Sequence, residues 1–272
     1  MNLIRYRNKT YKAPERWEEC SLEQWGALVA FGRVPAEDRT PDMQVLAAQM
    51  WLQVPADEWE KWQLDLLQWE ALQKAFDWIW TPPTARPCEH FLHMDEKYYV
   101  FGPNFEDTKA LELSLALMDY VAFSDPDEPD LTAYERILAT LCRPERKDLF
   151  HFRESDEWDG DLRELYNEAR TADRAIALSS LSEMSKLALF DYFERSAKAF
   201  LTQYEQVFGG SGTLEPRYPD GRGWIMLLKN IAKEGHFGNF DMVCKQPAHL
   251  VWASMLDDVL HNQELINDSE NA

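Results

Sequence analysis

The chain of 272 residues reads as a mainly α protein: helical, with a small β-hairpin and strand element between two helical halves. Two observations carry that class. Apolar residues recur at spacings of three and four over most of the length, the period of one helix face. One segment, residues 89–101, instead places two short apolar runs around a polar turn, the pattern of a hairpin. The expected organisation is an N-terminal Trp-rich region, 1–104, carrying strand and hairpin, and a helical region, 105–272.

Residues 2–12 read as strand-like, with Leu3, Ile4, Tyr6 and Tyr11 among polar neighbours. Ser21-Leu22-Glu23-Gln24 has capping-box form, in which the serine accepts from the backbone N–H of Gln24 and the glutamine reaches back. It opens a helix from about Leu22 to Phe31, ended near Gly32. A second helix runs from about Asp42 to Leu52. Val54-Pro55 breaks it, and Asp57 is placed to cap the next. Trp59, Trp62, Leu66, Trp69, Phe76 and Trp80 then recur at spacings of three, four or seven. They mark one face of a helix, or of two helices with a bend, stopped by Thr81-Pro82-Pro83. Eight of the eleven tryptophans lie in the first 80 residues, so this part has an unusually aromatic core.

The hairpin turns at Asp95-Glu96-Lys97. A lone hairpin is marginally stable, so it is expected to pack on helices or to pair with the N-terminal strand. From Asp107 the chain reads helical. Leu111, Leu115, Met118 and Val121 form one stripe, and Leu113, Leu117 and Tyr120 another, so this helix is covered on two sides. After the acidic loop Ser124–Asp130, Tyr134, Ile137, Leu138 and Leu141 mark a helix ending before Arg143-Pro144. Leu162, Leu165, Ala169 and Ile176 mark the next. The longest helix is expected from Glu183 to Phe208, with Phe190, Phe193, Ala197, Phe200, Tyr204 and Val207 on one face. Gly209-Gly210-Ser211-Gly212 stops it and is the best linker candidate. Trp224, Leu227, Leu228 and Ile231 define a helix closed by Gly235. The final helix begins near Pro247 and carries Leu250, Val251, Met255 and Val259.

Forty-eight acidic against 28 basic residues give a formal charge of −20. That argues against nucleic-acid binding through a basic face, and the charge is too diffuse to favour mimicry of DNA. It is unevenly spread. Residues 1–16 carry Arg5, Arg7, Lys9, Lys12 and Arg16 against Glu15, whereas Asp257, Asp258, Glu264, Asp268 and Glu270 near the C-terminus have no basic neighbour. A basic arm on an acidic body can dock on that body or on a second copy, so self-association stays open. The four cysteines are far apart with no CxxC pair, which fits a reducing cytoplasm. The start has no apolar signal core, and no run approaches a membrane span. The expectation is a soluble, acidic, cytoplasmic protein.

Chemical motifs are sparse. Cys88, His90 and His93 lie close together, but a structural zinc site needs four ligands, and along a strand the two histidines face opposite ways. Asp156-Glu157-Trp158-Asp159-Gly160-Asp161 resembles the start of a calcium loop, yet Tyr166 stands where the bidentate glutamate belongs. Asp161 reads better as a helix cap. Cys142 beside Arg143 reads as a buried thiol on an apolar stretch. No dinucleotide, P-loop, nucleophile-elbow or zincin motif is present. The sequence predicts no catalytic, cofactor or metal site.

Trp17-Glu18-Glu19-Cys20-Ser21-Leu22-Glu23-Gln24-Trp25 resembles the opening of small helical proteins from tailed-phage and prophage gene clusters. The order that follows is similar too: Val54-Pro55 into a Trp/Leu helix, Thr81-Pro82-Pro83, the hairpin at 89–101, the Leu-rich helix at 107–122, and a leucine helix from Leu138 to Pro144. Gly223-Trp224-Ile225 and Phe237-Gly238-Asn239-Phe240-Asp241-Met242-Val243 continue the likeness, which spans most of the chain. The resemblance is to phage tail assembly chaperones, and it implies a non-catalytic factor acting in the host cytoplasm on tape-measure or tail-tube proteins. A structural tail or adaptor subunit and an enzyme of unrecognised type are the alternatives. Partner-binding candidates are Trp224, Trp252 and Met255 on the C-terminal helices, as aromatic and thioether anchors, and Ile4 and Tyr6 on the N-terminal strand, which could extend a partner's sheet.

Overall fold

Several helices of this chain begin where a side chain satisfies one of the first free N–H groups. The computed structural model describes residues 1–156, 158–208 and 218–270, and within them it holds twelve α-helices and two small antiparallel sheets. The mainly α class holds, with 59% of the described residues helical. The glycine-rich stop expected at 209–212 lies outside the described residues. No described helix is long and apolar enough to cross a membrane. Contacts divide the chain into two compact units: Met1–Cys88 with Leu181–Tyr192, and Glu89–Ser180 with Phe193–Ala272.

In the first unit, β1 (Asn2–Tyr6) and β2 (Lys9–Ala13) pair antiparallel, with Leu3 opposite Lys12 and Ile4 opposite Tyr11. The strand-like stretch therefore contains its own turn, where Arg7 takes a positive φ of 52°. The Ser21–Gln24 capping box opens α1 (Leu22–Gly32) as the sequence predicts. Thr40 caps α2 (Pro41–Leu52) by accepting from the N–H of Met43. Pro55, not Asp57, stands at the N-cap of α3 (Ala56–Trp59). The Trp stripe is broken: Asp65 and Gln68 form a second capping box that starts α4 (Leu66–Phe76), and a 3₁₀ turn covers Asp77–Trp80. The break turns Leu66 outward, 72% exposed. Trp59, Trp62, Trp69 and Trp80 lie half-buried around a core of Trp25, Trp51, Leu52, Phe76 and Ile79. Two indoles are anchored to backbone carbonyls, Trp17 Nε1 donating to Thr81 and Trp51 Nε1 to Pro14, each at 2.9 Å.

In the second unit, β3 (His90–His93), β4 (Glu96–Tyr99) and β5 (Arg143–Pro144) form a sheet in that order. The hairpin, expected with the first 104 residues, groups here because Tyr98 and Tyr99 pair with Pro144 and Arg143 rather than with the N-terminal strand. Around it stand α5 (Ala110–Phe123), α6 (Ala133–Leu141), α7 (Leu149–Arg153) and α8 (Glu168–Leu178). Helix α9 (Glu183–Gln203) contributes its first ten residues to the first unit and the rest to this one. It stops five residues short of Phe208, where a 3₁₀ turn, Glu205–Phe208, follows. Helices α10 (Gly223–Glu234), α11 (Phe240–Cys244) and α12 (Ala248–Glu270) complete the unit. At 23 residues α12 exceeds the 21 of α9, the expected longest.

Helix α8 departs most from its predicted face. Asn167 caps it by accepting from the N–H of Arg170, so Leu165 falls outside the helix. Leu165 and Ile176 are exposed, and Thr171, Arg174 and Leu178 face inward. The sequence also hides a buried ionic cluster. Arg143 reaches Glu112 at 3.0 Å and Asp161 at 3.1 Å; Arg163 reaches Asp161 at 2.8 Å and Asp107 at 3.0 Å. Both guanidiniums are 1% exposed and also donate to the carbonyls of Thr140 and Leu141. Burial opposes the Arg163 charge, yet Asp107, Asp161 and Glu112 outweigh it and raise its pKa. Asp161 thus belongs to this cluster and does not cap a helix.

Candidate functional site

Trp224 lies in the first turn of α10, where its N–H donates to the carbonyl of Gly221 at 3.1 Å. Helix α10 packs on α5 through one face. Leu228 is fully buried and Ile231 is 4% exposed, while Trp224, Met226 and Leu227 stay half-buried. The Trp224 indole meets the Phe208 ring edge-on, with centroids 5.2 Å apart. Together with Val121, Val207, Tyr218 and Leu227 they line an open cleft of about 730 Å³. Among the described residues no charged side chain lines it. Its described lining offers mainly apolar contact and aromatic edges, with Tyr218 and Asn230 as its polar residues.

The other residues singled out from the sequence are not gathered at this cleft. Trp252 is fully buried against Phe200, centroids 5.5 Å apart, and Met255 is 6% exposed. Both fill the interior of the second unit and present no surface to a partner. Tyr6 stacks on Trp62 at 4.4 Å, and its hydroxyl accepts from the N–H of Gln63 at 2.8 Å. Ile4 packs with it on the aromatic core of the first unit. On the opposite face of the same hairpin, Leu3 is 62% exposed. Nearby, the Lys9 ammonium and the Tyr11 hydroxyl both donate to Glu58 and hold its carboxyl below the usual range.

Three thiols and one histidine singled out by residue type have defined surroundings. Burial pushes Cys20 up to about 12 and Cys88 up to about 11. Cys142 is fully buried. His93 Nε2 lies 2.9 Å from the carbonyl of Ala177 and 3.2 Å from Ser180 Oγ. The Phe208 side of the cleft lies beyond sequence reasoning, because the spacing predicts a helix running to Phe208 whereas α9 ends at Gln203; the Trp224 side is legible as an aromatic on an amphipathic helix. Compared with protein-family models, curated proteins and solved structures, the chain matches none.

Proposed function

We propose that this protein is a non-catalytic binding factor that receives an apolar helical segment of a partner protein in the Trp224 cleft. The observation that supports the reading is the cleft itself, rimmed by the Phe208 and Trp224 rings with no charged side chain among its described lining, on a chain of net charge −20. Contiguous apolar surface of this kind on an otherwise acidic protein marks a contact site, and the surrounding charge keeps the unbound form dispersed. With the sequence resemblance, the reading narrows to a phage tail assembly chaperone whose clients are tape-measure or tail-tube proteins, acting in the host cytoplasm. Co-purification from the native host, with mass spectrometry of what is retained, tests it: a helical tail component should be captured by the native chain and lost with Trp224→Ala. Capture unaffected by that substitution would remove the cleft from the account.

A second reading is favoured by the N-terminal hairpin. As a two-stranded sheet it leaves the outer edges of β1 and β2 without a strand partner among the described residues. A structural subunit joined to its neighbours by strand addition would use such an edge. Finding the protein in purified particles would select this reading, because a chaperone leaves before completion.

A further inference from the structure

Helix α10 ends at Gly235, which takes a φ of +83° and donates its N–H to the carbonyl of Ile231 at 3.2 Å. That left-handed turn, natural for glycine, places Glu234 and His236 on either side of the reversal. His236 Nε2 lies 3.8 Å from Glu234 Oε2 and 3.9 Å from Oδ2 of Asp258, on α12. The three donor atoms are all within 4.8 Å of one another, and no other such group occurs among the described residues. These separations are too long for hydrogen bonds. The two histidine–carboxylate separations fall within twice a metal–ligand bond of ~2.0–2.2 Å, and binding would draw the two carboxylate oxygens closer. The Asp258 side chain is 41% exposed, but its Oδ2 is itself closed to solvent and has no hydrogen-bond partner. A cation bound there would give that oxygen a partner.

We infer that Glu234, His236 and Asp258 bind one divalent transition-metal ion. One imidazole nitrogen with two carboxylates suits Zn²⁺, and three protein ligands leave a coordination position for water. The carboxylates supply two negative charges that the ion neutralises. The bond set would tie the end of α10 to α12 and so brace the helix that carries Trp224. This assignment stands apart from the binding role of the cleft and holds or fails without it. The test is titration of the chelator-dialysed full chain with ZnCl₂ by calorimetry, with Co²⁺ absorption as a second readout. One equivalent should bind, and His236→Ala, Glu234→Gln and Asp258→Asn should each weaken it by about tenfold or more. His90→Ala should leave it unchanged. All three ligands lie at the surface, so unchanged far-ultraviolet circular dichroism identifies a variant that is folded. Absence of saturable binding, or binding that survives His236→Ala in a folded variant, would overturn the site, as would loss of the ion with His90→Ala alone.

Discussion

Two tryptophans of the C-terminal helices have opposite fates, and the difference is one of position relative to packed neighbours. Trp252 is enclosed by Phe200 and its own helix face. Trp252→Ala should lower stability by about 3–5 kcal/mol in urea unfolding, the loss for a large buried aromatic. Trp224 is half-buried at an open cleft. Trp224→Ala should leave the melting temperature close to that of the native chain while capture of the proposed partner falls; a large drop in melting temperature would make Trp224 a core residue. A third residue depends on what it lacks. A Cβ at Gly26 would overlap the backbone carbonyl of Met184, which no side-chain rotation can relieve. Gly26→Ala should destabilise the first unit despite the helix propensity of alanine. A gain in stability, as for an ordinary helical glycine, would contradict the close approach of α1 and α9.

Elements were legible where the signal was local. The Ser21–Gln24 box and the glycine after α10 act within one turn, so their pattern survives in any tertiary setting. The Trp59–Trp80 stripe left one helix or two open, because a period is compatible with either, and the box at Asp65 decided for two. Helix α8 misled: its inward face carries Arg174, whose guanidinium holds Glu164, and an apolar stripe cannot report a buried ion pair. The Arg143–Arg163 cluster tests this at the level of elements, since it ties α5 and β5 to the stretch containing Asp161. Arg163→Met leaves Asp107 and Asp161 short of a cation and should cost about 3–5 kcal/mol. A neutral effect would mean that the cluster is no more than an exchange for apolar packing.

For the whole molecule the distribution of carboxylates sets the response to acid. Glu58 is held below its ordinary value by Lys9 and Tyr11, Asp130 by Thr132 and Arg136, Asp148 by Arg146, and Glu145 by Tyr99 and Lys97. Each binds its proton less readily folded than unfolded. Their contributions are complete above the ordinary values of 3.8 and 4.5 and are lost as pH falls through the folded ones. Asp119 has the opposite sign, because burial raises its pKa. The lowered groups outnumber it, so the urea midpoint should fall between pH 7 and pH 3.5. In Glu58→Gln the fall should be shallower, and an equal slope in both proteins would exclude that contact as a contributor.

By itself the sequence determined the helical class, most helix starts and ends, the hairpin at 89–101 and the aromatic character of the N-terminal core, because each is written in short-range periodicity, caps and turns. It also placed Trp224 on an amphipathic helix face. Only the tertiary structure decided that Trp252 and Met255 are interior, that β4 pairs with β5, that Arg143 and Arg163 share Asp161, and that Glu234, His236 and Asp258 converge. Those outcomes depend on which surfaces meet across tens of residues, and a one-dimensional pattern of polar and apolar side chains carries no distance between them.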